Sequence, residues 1–105
     1  MRNKTINALI EMGMPADIKG FKYIVDAMEL FENEENRFGK TTVLYYEIGK
    51  KNNVTATSVE RTIRHAFGIV LTKGNLESVE KYLTMQNYTN GNLLHVLYLR
   101  LTQEV

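Results

Sequence analysis

Arg61, Arg64 and His65 stand close together in the middle of this chain, with Ser58 and Glu60 just before them. They form a set of hydrogen-bond donors and acceptors rather than a nucleophile with its base. An arginine can grip the O6 and N7 acceptors of guanine through parallel donors, and a glutamate can accept from the cytosine amino group. Each such pair is worth about 1–3 kcal/mol of discrimination between bases. Lys50, Lys51, Thr55, Thr57 and Lys73 surround this set. Lysines at helix ends suit phosphates, which position a protein on a duplex without reading sequence. Positive helix-dipole ends act in the same sense.

Such groups read an edge only if one rigid rod holds them on one side. Val59, Ile63, Ala66, Phe67, Val70 and Leu71 recur at helical spacing and, at ~100° per residue, make a single apolar stripe. Arg61 and His65 project roughly opposite it, Thr57 and Ser58 lie near them at the N-terminal end, and Arg64 and Glu60 sit on the flanks. The spacing predicts a helix from 55–57 to Lys73, with Thr57 and Glu60 as a capping box and Gly74 as the stop. A bracing helix precedes it over about 42–52, with Val43, Leu44 and Ile48 buried. Small Gly49 allows a close crossing, Asn52-Asn53 makes the turn, and Val54 plugs the corner. This is helix-turn-helix spacing, in which the first helix braces and the second enters the major groove. A structural corner with a solvated basic face shares the same spacing.

The rest of the chain also reads as helix. Lys4 to Met12 turns Ile6, Leu9 and Ile10 inward and stops at Gly13, and Met14-Pro15 breaks the backbone. A second helix is expected from Asp17, as N-cap, to about Glu34, burying Phe21, Ile24, Val25, Met28 and Phe31. Asn36 to Lys40 reads as a loop bent at Gly39. A short fifth helix runs from Asn75 or Glu77 to Leu83, and a sixth from Asn90 to Gln103 carries Leu93, Leu94, Leu97 and Leu101. Tyr45, Tyr46, Tyr82 and Tyr98 are expected mostly in the core. The expectation is an all-α, compact six-helix fold containing a helix-turn-helix, one domain over 1–105.

Bulk properties agree. The 105 residues are 44% hydrophobic and 24% charged, with net charge +1 and no cysteine. The missing cysteine removes disulfides and thiolate chemistry and fits a reducing cytoplasm. No apolar run is long enough for a signal peptide or a membrane span, so the chain reads as soluble, cytoplasmic and without a membrane partner. Charge is unevenly distributed: residues 40–74 carry six basic and two acidic side chains, while the remainder is net negative, with a cluster at Glu29, Glu32, Glu34 and Glu35. That asymmetry would turn one face toward a polyanion.

At this point a family resemblance becomes close. Val59-Glu60-Arg61-Thr62-Ile63-Arg64-His65-Ala66 resembles the recognition-helix signature V-E-R-x-I-R-H-A of the stage zero sporulation response regulators. Gly13 to Phe21 resembles G-x-P-A-x-I-K-G-[YF], Leu44-Tyr45 with Ile48 and Lys50-Lys51 resembles L-Y-x-x-I-A-K-K, Lys73-Gly74-Asn75 resembles R-G-N, and Thr89-Asn90 fits the start of the last helix. The resemblance implies a six-helix effector domain that binds promoter boxes in double-stranded DNA, usually as adjacent copies on direct repeats. Carried over, the base-reading set is Ser58, Glu60, Arg61, Arg64 and His65. Gly74, Asn75 and Ser78 match the region that meets RNA polymerase sigma subunits. Two departures stand out. The family usually has arginine where this chain has Ser58, which is expected to alter reading at one base, and the family's phosphorylated receiver domain is not among these 105 residues.

Other chemistries find little footing. Gly39-Lys40-Thr41 is similar to the end of a phosphate-binding loop, but Glu34 stands where that loop needs glycine. His65 and His95 lie on different helices without a Cys/His ligand set, so neither a metal nor another cofactor is expected. The rival reading is a helical protein–protein interaction module that kept the fold without specific DNA binding.

Overall fold

In a computed structural model describing residues 1–34 and 40–103, the chain folds into six helices: α1 Arg2–Met12, α2 Lys19–Glu34, α3 Thr41–Asn52, α4 Ala56–Lys73, α5 Leu76–Tyr82 and α6 Asn90–Gln103. The expected bend at Gly39 lies outside the described residues. One continuous apolar cluster forms the core, including Leu9, Met12, Ile24, Met28, Phe31, Leu44, Ile48, Ile63, Phe67, Leu93 and Leu97. Helix α4 runs through its middle and packs against α2, α3, α5 and α6.

Helix α2 buries all five of the expected residues, from Phe21 to Phe31. It begins at Lys19, however, and Asp17 is exposed in the turn before it rather than capping it. In α1 the inward stripe is Thr5, Ala8, Leu9 and Met12. Ile10 is 56% exposed, a correction with a simple cause. The 5-8-9-12 pattern already occupies the inner face, and a residue next to Leu9 is rotated about 100° away from it. Val43 and Leu71 are only partly buried. Tyr45, Tyr82 and Tyr98 join the core, whereas Tyr46 is 61% exposed.

Close approach between α2 and α4 depends on Gly20. A Cβ there would lie 2.5 Å from the Ala66 Cβ and 2.8 Å from the Thr62 carbonyl oxygen, inside any tolerable contact. The far end of α4 is joined to α1, where the Asn75 amide donates to the Met12 carbonyl at 3.0 Å. Gly74 ends α4 in extended rather than left-handed backbone, its amide bonded to the Val70 carbonyl. A Cβ at Gly74 would meet the Val70 and Met12 carbonyl oxygens at 2.4 and 2.5 Å.

Candidate nucleic-acid interface

The corner between α3 and α4 is built from Ile48 to Val59. Asn53 caps α3 in left-handed backbone, φ 58° and ψ 44°, a conformation asparagine tolerates. A Cβ on Gly49 would sit 2.5 Å from the Val54 carbonyl oxygen and 3.3 Å from the Thr55 carbonyl carbon, so glycine lets the turn fold back against α3. Val54 packs partly buried against the core. Helix α4 starts two residues earlier than a Thr57 cap would require. Thr55 is the N-cap, in extended backbone, and its side chain accepts from the Ser58 amide at 3.1 Å. Thr57 therefore lies inside the first turn, and the expected capping box is not the device used.

A carboxylate that the sequence reading passed over anchors this corner. Asp26 of α2 is 2% exposed. Its Oδ1 accepts from Lys51 Nζ at 3.1 Å and its Oδ2 from Asn52 Nδ2 at 3.1 Å, with Lys22 Nζ 3.5 Å away. Lys22 also reaches Asn52, and Asn52 Nδ2 donates in addition to the Ile48 carbonyl at 2.8 Å. A buried carboxylate so enclosed by cations and an amide is adequately compensated. The signal was an acid inside the apolar run Ile24-Val25-Asp26-Ala27-Met28. Lys51, assigned to phosphate from its position, is thus tied to α2, while Lys50 and Lys73 are exposed.

The base-reading candidates occupy the outside of α4. Val59, Ile63, Ala66, Phe67 and Val70 are buried, and Arg61, Arg64 and His65 are exposed. Thr55 and Thr57 are exposed at the N-terminal end, with Ser58 and Glu60 half-buried beside them. Glu60 and Arg64 form an ion pair one helical turn apart, with glutamate on the N-terminal side, the favoured order. Arg61, Arg64, His65, Gly68, Ile69, Thr72 and Lys73 line one open hollow along this face. A smaller groove between α3 and α4 is lined by Thr42, Tyr45, Ala56, Thr57 and Glu60. Beneath it, Asn90 of α6 donates from Nδ2 to the Glu60 carbonyl at 2.8 Å. Burial pushes the Tyr45 phenol above its ordinary value, opposed by hydrogen bonding to Asn90 and Thr41 and by the Arg64 charge.

Gly74, Asn75 and Ser78 lie together at the start of α5, where Asn75 Oδ1 accepts from the Ser78 amide at 3.0 Å. His95 is half-buried, donating from Nδ1 to the Gly91 carbonyl at 2.7 Å and tilted against Phe31. Among the described residues no group of three His, Cys, Asp or Glu side chains could hold a metal ion. No helix among them is long and apolar enough to cross a membrane.

A bracing helix, a tight asparagine turn and a second helix with a basic outer face define a helix-turn-helix domain. The family described as sporulation initiation factor Spo0A C terminal matches residues 5–101, nearly the whole chain. The chain belongs to this family, the DNA-binding effector domain of a sporulation regulator.

Proposed function

We propose that the 105 residues act as one effector domain in the cytoplasm, reading promoter boxes in duplex DNA with the 57–72 stretch of α4 in the major groove. In this reading Ser58, Glu60, Arg61, Arg64 and His65 meet base edges. Lys50, Lys51, Thr55, Thr57 and Lys73 face phosphates, with Lys51 also serving Asp26. The observation that carries it is the exposure of Arg61 and His65 opposite the buried stripe of α4, with Arg64 exposed on its flank. Adjacent copies would occupy tandem sites, and the Gly74, Asn75 and Ser78 surface would face a polymerase sigma subunit.

The test is selection of preferred sites from a random duplex pool, followed by titration of the selected duplex. Arg61→Ala should weaken binding by about 1–3 kcal/mol and relax preference at one base pair. Equal affinity for selected and random duplex, or indifference to the loss of both Arg61 and Arg64, would leave a helical protein-binding module instead.

A further inference from the structure

Gly68 sits in the interior of an 18-residue helix, where glycine is among the poorest residues for stability. Packing does not call for it. A Cβ added at Gly68 would meet nothing within 4 Å, in contrast to Gly20, Gly49 and Gly74, where a Cβ would collide. At ~100° per residue Gly68 falls about 20° from the direction of Arg61 and between those of Arg64 and His65. That is the outer side of α4, about 140° from Ile63 and about 160° from Val70, and it continues into exposed Thr72.

Position along the axis matters equally. Gly68 lies seven residues beyond Arg61, or about 10 Å at ~1.5 Å per residue. The major groove is only ~12 Å wide. A helix presenting Arg61 to base edges therefore meets the groove wall, a sugar-phosphate strand, roughly where Gly68 stands. We propose that Gly68 is a positioning residue for DNA recognition: its missing side chain lets the duplex backbone come against the bare α4 main chain, seating Arg61, Arg64 and His65 deep enough to reach bases. The inference rests on the groove reading above and adds a depth-setting contact to it.

The test uses the duplex selected by the unaltered protein, with thermal unfolding measured alongside. Gly68→Ala should raise Tm by several degrees, about 4–8 °C, because an interior helical glycine is removed. It should nevertheless weaken the selected duplex about tenfold, and Gly68→Leu should weaken it further, since each larger side chain keeps the main chain from the wall. The slope of log affinity against log salt should stay unchanged in both, whereas Lys73→Ala should lower it by about one if that lysine holds a phosphate. A stabilised Gly68→Ala protein that binds as tightly as the parent, or more tightly, overturns the proposal. Arg61→Ala separates the two failures. If it weakens binding while Gly68→Ala does not, only the depth-setting role falls; if neither matters, the groove reading falls with it.

Discussion

Asp26 illustrates how one buried side chain can organise a surface it never reaches. Its carboxylate lies on α2, yet its partners Lys51 and Asn52 belong to the last turn of α3, immediately before the corner. Asp26→Ala should lower the stability measured by urea unfolding by about 1–3 kcal/mol, since Asn52 and two lysines lose a charged acceptor. The affected lysines are more than half exposed, which keeps the loss below that of a fully buried pair. An unchanged unfolding midpoint would mean that the contact does not hold α2 to the corner. Sequence patterning assigns Lys51 to phosphate because it sees a cation at a helix end. It does not see the acid supplied from 25 residues earlier. The outward placement of Arg61, Arg64 and His65, by contrast, follows from their offset against the apolar stripe alone.

At the scale of elements, helix periodicity carried most of the information. All six helices and the buried side of α2 and α4 follow from it, because a 3.6-residue repeat determines which residues can face a core. Helix starts were less legible. Asp17 stays in the turn before α2, which begins at Lys19, and α4 begins at Ala56 because Thr55 rather than Thr57 caps it. Gly49 reads from sequence as a close-crossing residue, and the Val54 carbonyl oxygen occupies the space its side chain would need. Gly49→Ala would force its methyl against the Val54 carbonyl oxygen, at 2.5 Å without rearrangement. We expect a loss of about 1–3 kcal/mol by thermal or urea unfolding, as for overpacked cores. A smaller loss would show that the 53–55 turn can move aside.

For the whole molecule, Tyr45 offers a probe of how α3, α4 and α6 hold together. Its phenol is raised mainly by burial, so the folded state retains its proton at a pH where the unfolded chain has begun to lose it. The sign follows directly: this contribution is complete below the unfolded tyrosine value of about 10 and is lost as pH rises through the folded value. Stability should therefore fall in alkali above pH ~10, and Tyr45→Phe should flatten that fall when unfolding free energy is followed against pH. An identical alkaline decline in the variant would place the responsible proton elsewhere. The six-helix architecture was legible from sequence, but the polar contact from Asn90 to the back of α4 was not. Asparagine at the start of a helix looks the same whether it faces water or a neighbouring backbone carbonyl.

Helix α4 is gripped on several sides, by α2, α3, α5 and α6, and joined at its far end to α1 through Asn75 and Met12. A rod clamped in this way has no inexpensive tilt or slide available. When its geometry and that of a target site disagree, the accommodation falls on the nucleic acid, through bending, twisting or a change of groove width. Selectivity would then extend to steps that no side chain touches, ranked by how readily each yields.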